Sequence, residues 1–492
     1  MPTSEITYIM LMLVFGLALL FISIYSVAQI QLILRYRKYK HIDTPEVHVN
    51  DLPKVCIQLP IYNEMYVSKR LLDAVVKIEY PASKLEIQVL DDSTDETQGI
   101  LKKHVKELQE KGITISYVHR IDRKGYKAGA LKEGILLTDA EIIAIFDADF
   151  IPSTDFLLKT VPHFKEQKVG MVQTCWEHLN KDYSLLTKLQ AFGLDAHFSV
   201  EQVGRNSKGN FINFNGTAGT WRKTCILDAG NWEADTLTED LDLSYRAQLK
   251  DWKFVYLENV KSPAELPPVM SALRTQQYRW TKGGAETAKK HLINVLKSNK
   301  SASDKWHGFF HLLNSSIFIC IIVSGLISVP ILVLKHQYPA YDQLFVYSSI
   351  FLLSFLSISA LYAVSSITKH KSRKEGWMYF LKHYPLFLSF SMGLSFHNAV
   401  AVIEGYLGRK TPFVRTPKFN IQKNSDTWSK NTYIKKNLSV FSIIEGLLFI
   451  YFFTALSAAF LYQDFSLFLF HLLLTGGFGM VFYYTLKQSQ QA

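Results

Sequence analysis

LEIQVLDDSTDETQGILKKHVKELQEKG occupies residues 85–112. Its first eight residues form a short apolar run that closes on Asp91–Asp92. The part from 96 onward has the composition of a helix, and Gly112 stands where a helix usually stops. A strand, an acidic turn and a helix in that order make half of a βαβ unit, and the pattern recurs on both sides. VCIQLPIY at 55–62, ITISYVH at 113–119 and EIIAIFDAD at 141–149 read as strands buried on both faces, and VSKRLLDAVVKI at 67–78 as another helix. Alternation of this kind implies a parallel sheet. Ligands of such sheets sit beyond the carboxyl ends of the strands, where acidic clusters fall in this chain.

The bulk composition widens the picture. A chain of 492 residues is too long for one simple domain, and 48% hydrophobic residues beside 20% charged ones suggest a soluble domain fused to membrane segments. The net charge of +11 lies largely beside apolar runs, which points to a membrane surface before nucleic acid. No platform of mixed aromatic and basic residues appears, so no nucleic-acid partner is expected. Cys56, Cys175, Cys225 and Cys320 are scattered without a CxxC, which argues against a cysteine metal site and fits a reducing compartment.

Residues 1–40 read as a retained anchor, apolar from 8 to 34 and followed by Arg35, Arg37, Lys38 and Lys40. Residues 50–283 form the soluble unit. GAETAKKHLINVLKS at 284–298 opens an amphipathic, basic segment (284–306) expected on the membrane surface. The remainder, 307–492, holds expected spans at about 308–334, 344–368, 439–461 and 465–486. The basic run KHKSRK at 369–374 belongs inside, and 384–407, carrying His397, Asn398 and Glu404, is expected to be interfacial or re-entrant. The charge pattern puts the soluble unit in the cytosol, and the expected location is a bacterial inner membrane.

The acidic clusters carry the chemistry. Asp147-Ala-Asp149 closes the fourth strand, and hard carboxylate ligands there suit Mg²⁺ or Mn²⁺ bound to a nucleotide diphosphate. A single such pair is as easily an Asp-rich turn, but Asp91–Asp92 and Glu239–Asp240 share the domain. In GYKAGAL at 125–131 the glycines allow close backbone approach and Lys127 reaches a phosphate. Asn63 and Glu64, after the first strand, are candidates for the base or ribose, and equally for a helix cap. Gln173, Trp176 and Asn180 are candidates to line the sugar path. Asn215, Gly216, Trp221 and Arg222 are candidates for an acceptor loop, with core roles open for both tryptophans. Asp240 is the candidate general base for an attacking hydroxyl; Glu239 and Asp242 stay open, because spacing does not separate them. Gln276, Arg279 and Trp280 offer a planar donor, a fixed cation for a diphosphate and a stacking face.

That ordered set (Asp91–Asp92, Asp147-x-Asp149, Thr238-Glu239-Asp240, Gln276-x-x-Arg279-Trp280) resembles the processive family 2 glycosyltransferases, which include cellulose, hyaluronan and chitin synthases. LTEDLDLSYRAQLKDWKFVYL at 237–257, AELP at 264–267 and QQYRW at 276–280 are similar to the cellulose-synthase-like A and C group, which makes mannan and xyloglucan backbones. The resemblance covers about residues 50–300. It implies an α/β GT-A domain, Rossmann-like and nucleotide-sugar-binding, facing the cytosol and inserted in an α-helical transmembrane domain. It further implies an inverting reaction, with Asp91 and Asp92 on the nucleotide, Lys127 on the phosphates, Asp149 with Asp147 on the metal, and Asp240 as base. Gln276, Arg279 and Trp280 would hold the acceptor end and the diphosphate. Phe413-x-x-Thr416-x-Lys418 resembles the gating-loop motif of cellulose synthases, with Arg415 where that motif usually has Val. The expected activity is transfer of a hexose from UDP-glucose or GDP-mannose to a growing polysaccharide, with coupled translocation. Single addition to a lipid acceptor, and a non-catalytic nucleotide-sugar sensor, are the alternatives.

Overall fold

The computed structural model describes residues 2–491 apart from 40, 342, 344–351, 424, 430 and 434–437. Seven strands build one sheet: β1 (Val55–Ile61), β2 (Leu85–Asp91), β3 (Ile115–His119), β4 (Ile142–Ile145), β5 (Val169–His178), β6 (Gly219–Arg222) and β7 (Lys253–Ala264). Their order is β3-β2-β1-β4-β6-β5-β7. The first four are parallel and lie where the sequence places them, with the expected helices at Ser68–Val75 and Thr97–Glu110 between them. The sheet as a whole is mixed rather than parallel, because β6 runs antiparallel to both β4 and β5. A strand of only four residues, GTWR, is too short to show a period, so its direction is not readable from the sequence.

Both faces of the central strands are covered, which is why they read as continuous apolar runs. Val55, Ile57 and Leu59 pack with Leu71, Leu72, Leu101 and Val105, while Cys56, Ile143 and Ile145 pack with Leu131 and Trp221. Each such aliphatic side chain contributes about 1.5–3 kcal/mol by leaving water. The strand ends, and the acidic turns on them, are thereby fixed on a rigid base.

Among the described residues, four helices are long and apolar enough to cross a membrane: Thr3–Lys38, Asn314–Lys335, Val440–Leu461 and Phe468–Gln491. The chain is an integral membrane protein. Of the span expected at 344–368, residues 344–351 lie outside those described, and the rest forms the Leu352–Lys369 helix. The basic stretch from 284 is not a separate element but the second half of one long helix, Met270–Lys297, that also carries Gln276, Arg279 and Trp280. A second helix, Ala302–Leu312, follows behind a Ser301 capping box. Arg373–Gly393 and Ser395–Leu407 meet at a bend of 48°, the geometry of a broken span or a re-entrant loop.

Candidate active site

Beyond the strand ends lies a cavity of about 160 Å³. Twelve of the residues expected from sequence line it: Glu64, Asp92, Lys127, Asp147, Asp149, Trp176, Asn215, Glu239, Asp240, Gln276, Arg279 and Trp280. Asn63 and Asp91 stand just behind the wall and hold it. Asn63, at φ 52°, accepts the Thr94 N–H at 2.8 Å and donates its own N–H to Ser93 Oγ at 2.8 Å, lacing the loop after β1 to the loop after β2. Asp91 is fully buried and accepts from the Tyr117 hydroxyl at 2.6 Å and the Ser93 N–H at 2.9 Å. Asp92 does reach the cavity, but Arg120 clamps it in a fork at 2.6 and 2.7 Å.

Other candidates fall into supporting parts. Gln173 donates to backbone carbonyls of Thr174, Thr217 and Ala218 and accepts the Asn215 N–H, so it shapes the acceptor loop from below. Asn180 makes a two-way bond with the Leu266 backbone at 2.8 Å each way. Trp221 has no exposed surface and belongs to the core, and Arg222 turns to the carbonyls of Phe164 and Val169. Trp176 keeps both of its readings: it lines the cavity and stacks on Phe198 at 4.9 Å.

At the centre, Lys127 Nζ donates to Asp147 at 2.5 Å and to the Gly216 carbonyl at 2.8 Å. Gly216 sits at φ +79°, and a Cβ there would lie 3.0 Å from Asp240 Oδ2 and 3.5 Å from Lys127 Nζ. The backbone angle therefore favours glycine, and a Cβ would also press on the Asp240 carboxylate. Asp240 and Glu239 open the Glu239–Leu249 helix, where negative charge is favoured. Burial raises both carboxyls above their ordinary range, and for Asp240 the neighbouring Glu239 adds to the effect. Asp240 Oδ1 accepts the Leu241 N–H at 2.8 Å while Oδ2 faces Gly216.

Asp242, two residues on, points to the opposite side of the helix. It is fully buried and meets His291, Arg246 and Lys290 at 2.7, 2.7 and 2.8 Å. Burial alone would raise its carboxyl, but those partners together hold it well below the usual range. The geometry thus sets Asp242 apart from Glu239 and Asp240, which both line the cavity. Glu233 and Asp235 join Asp242 in an acidic cluster, which Lys290 already fills with contacts of 2.6 to 2.8 Å.

The long Met270–Lys297 helix delivers Gln276, Arg279 and Trp280 on one side. It can do so only because Gly283 lets it touch the start of the Glu239–Leu249 helix: a Cβ at 283 would lie 2.5 Å from Thr238 Cγ2 and 2.9 Å from its N. Gly283 is a positioning residue that the sequence reading passed over. Its neighbour Lys282, fully buried, donates to Thr411 Oγ1 at 2.9 Å. Arg279 donates to Thr416 Oγ1 at 3.0 Å and lies 4.8 Å over the Phe413 ring. The rings of Trp280 and Trp176 stand 6.4 Å apart.

These contacts introduce a roof. Phe413, Arg415, Thr416 and Lys418 all line the cavity. Arg415 pairs with Glu64 at 2.8 Å, and Lys418 with Asp149 Oδ2 at 2.7 Å. Burial pushes Glu64 up to about 8 despite the opposing pull of Arg415. Glu265, which the sequence reading did not single out, anchors the far end of the roof. Its two oxygens accept the N–H groups of Phe419 and Asn420, each at 2.9 Å, and burial pushes its carboxyl up to about 7. A lone carboxylate between Ala264 and Leu266-Pro267 is the signal that was there to find.

The donor set suits a divalent cation. Asp149 Oδ1 is buried with no hydrogen-bond partner, while a cation, Lys418, already sits on Oδ2. Hard oxygen of this kind, next to Asp147, matches Mg²⁺ or Mn²⁺.

A family model described as "Glycosyltransferase like family 2" matches residues 53–283. A probable glucomannan 4-beta-mannosyltransferase 11 of Oryza sativa subsp. japonica is 44% identical over 267 residues, 52% of this chain and 47% of the relative. A probable glucomannan 4-beta-mannosyltransferase 3 of the same species is 37% identical over 389 residues, 76% of this chain and 67% of the relative. The chain spans about half the length of the first two curated relatives it matches, 47% and 51%. These plant relatives give no support to the expected bacterial membrane. A solved mannosyltransferase of Pyrobaculum calidifontis, in complex with GDP-Man and Mn²⁺, covers 80% of this chain and all of its own at a TM-score of 0.54 and 16% identity, a likeness of GT-A fold alone. The ordered carboxylates, the Gln-x-x-Arg-Trp helix and a 37% match across two thirds of a full-length relative agree: the chain belongs to the family 2 glycosyltransferases, with the glucomannan mannosyltransferases of the cellulose-synthase-like A group.

Proposed function

We propose that the protein transfers a hexose from a nucleotide sugar to the end of a β-linked polysaccharide and passes the product into the membrane. GDP-mannose is the first donor to test and UDP-glucose the second, because the relatives are named as glucomannan mannosyltransferases. The catalytic unit (50–283) would face the cytosol. The observation that carries this reading is the convergence of Asp92, Lys127, Asp149, Asp240, Arg279 and Trp280 on one cavity. A second cavity, of about 330 Å³, begins at Gln276 and Trp280 and runs among the membrane helices. Its lining is mostly apolar but includes Tyr25, Gln29, Gln190, Gln277, Asn314 and Asn398, which offer hydrogen-bond partners to a sugar chain.

Asp240 takes the proton from the attacking acceptor hydroxyl as its oxygen bonds to the anomeric carbon from the face opposite the leaving diphosphate. The bond from that carbon to the diphosphate breaks, and the configuration inverts. Burial keeps Asp240 a stronger base than an ordinary carboxylate, which suits work near neutral pH. Lys127 and Arg279 supply fixed positive charge for the diphosphate. Trp280 and Trp176 give the acceptor sugar an aromatic wall. A Mg²⁺ or Mn²⁺ held by Asp149, with Asp147 beside it, would neutralise charge on the diphosphate.

The test offers membranes containing the full chain a panel of radiolabelled nucleotide sugars with Mg²⁺ or Mn²⁺, sizes the product and digests it with linkage-specific hydrolases. A polymer opened by a β-mannanase or β-glucanase supports the proposal. A lipid bearing one sugar would replace it with the single-addition reading, and binding without turnover with the sensor reading.

A further inference from the structure

A cleft of about 1780 Å³ opens where the soluble unit meets the ends of the membrane helices, and neither Asp147 nor Asp149 lines it. It shares Trp176 and His178 with the active-site cavity, so the two are separated by one layer of side chains. Seven Lys and Arg side chains line it against five carboxylates. Two of the seven are committed, Lys369 to Asp195 and Lys188 to Asp182. Arg37, Lys181, Lys261, Lys371 and Arg373 form no ion pair with a described residue. Glu258 is engaged by the Tyr36 hydroxyl at 3.0 Å. His178, only 7% exposed, has an Nε2 with no hydrogen-bond partner, its nearest carboxylate being Asp195 at 3.4 Å. Like charges gathered in this way repel unless an anion joins them.

The position says which anion. Arg37 ends the Thr3–Lys38 helix, and Lys371 and Arg373 directly follow the Leu352–Lys369 helix. Tyr36, Tyr39, Trp377 and Tyr379 line the same cleft, and aromatic side chains of this kind favour the headgroup level of a bilayer. From the soluble side, β7 bulges toward the cleft: three extra residues, Glu258, Asn259 and Val260, stand between the pairs Thr174–Leu257 and Cys175–Lys261. Clustered basic residues beside membrane helices attract anionic lipid, each contributing about 1 kcal/mol.

We propose that this cleft binds the phosphate headgroup of an anionic membrane lipid, which ties the N-terminal anchor, the β7 bulge and the 369–373 turn together beside the acceptor end of the active site. The site is built from three segments that the catalytic reading does not use. It makes the lipid around the protein a component of the enzyme rather than a solvent.

The experiment titrates the full-length, detergent-solubilised chain with fluorescent phosphatidylserine, with phosphatidylcholine as control and inorganic phosphate as competitor. Phosphatidylserine should bind saturably and phosphatidylcholine should not, and phosphate should displace the lipid no more than chloride does at the same ionic strength. Arg37→Gln, Lys371→Gln and Arg373→Gln should each weaken binding roughly fivefold, the equivalent of about 1 kcal/mol. Arg373→Lys keeps the charge and should bind as the wild type, so a merely misfolded Gln variant is recognised. Added salt should weaken binding in every case. Equal binding of the two lipids, Gln variants that bind like the wild type, displacement by inorganic phosphate beyond that by chloride at equal ionic strength, or indifference to salt would each overturn the proposal.

Discussion

The active-site cavity has a floor and a roof of different construction. The floor is made of strand ends and helix starts whose backbones are locked by the sheet and by two packed cores. The roof is drawn from the segment between Leu407 and Val440, whose described residues form no helix or strand. It is held by separate polar contacts (Arg415 to Glu64, Lys418 to Asp149, Thr416 to Arg279, and Phe419 and Asn420 to Glu265) and by one small apolar cluster of Phe419 and Ile421 with Val269 and Ala272. Each such bond is worth about 0.5–1.5 kcal/mol net, more where a charge takes part. A floor that depends on many apolar contacts stays put when one is lost. A roof hung from a few polar contacts and one small apolar cluster loosens more readily when one is broken, and the Arg415 and Lys418 contacts sit on floor carboxylates that the donor and its metal would claim.

Mutations on either side test that contrast. Asp149→Asn should remove divalent-cation-dependent nucleotide binding by at least the ~100-fold seen when even a supporting partner of a metal is lost. Titration calorimetry with GDP and Mn²⁺ reads this, and unchanged affinity would refute the metal assignment. Gly216→Ala should cost about 1–2 kcal/mol through its left-handed backbone and push Asp240 aside. A slower transfer rate with a nearly unchanged donor KM is expected; a lower affinity with an unchanged rate would mean that Gly216 serves the donor instead.

On the roof, Glu265→Gln should leave the melting transition of the soluble unit nearly intact, since it replaces a charge-assisted contact worth about 1–2 kcal/mol. Hydrogen exchange at residues 411–422 should rise roughly fivefold or more for that loss, with no change in β1 or β4. Exchange rising equally across the sheet would erase the distinction. The smallest effect is expected for Arg415→Val. Glu64 already lies at about 8, so at neutral pH it answers the loss of its partner by keeping its proton. A carboxyl raised in the folded state binds more protons than in the unfolded chain, so its ionisation weakens the fold as pH rises. The variant should therefore match the wild type below pH 7 and lose roof protection as pH rises through about 8. A defect that is constant with pH would deny Glu64 this part.

The same contrast explains what the sequence revealed. The floor was legible because its residues come in short, ordered groups at the ends of apolar runs: Asp91–Asp92, Asp147-Ala-Asp149, Thr238-Glu239-Asp240 and Gln276-x-x-Arg279-Trp280. Spacing could not say that Asp91 would turn inward to Tyr117, or that Asp242 would turn to His291, because both depend on partners in other elements. Of the roof, only Phe413, Thr416 and Lys418 stood out, through a resembling motif. The Glu64–Arg415 and Glu265–Phe419 contacts join residues more than 150 positions apart and have no local trace. Arg415, the departure from the motif, gains a meaning only once Glu64 is seen beneath it. In the sheet, β6 escaped notice because four residues show no period, although the core of the site hangs from the loop before it.

Asp240, with Gly216, Glu239 and Lys127 around it, is the proposed base. The direct measurement compares wild type and Asp240→Asn in the same membranes, reading both binding of the labelled nucleotide sugar and its transfer rate. Binding within a few-fold of the wild type and transfer slowed by roughly 10²–10⁴ are expected for loss of a general base. Transfer at the wild-type rate by a folded, donor-binding Asp240→Asn protein would contradict it.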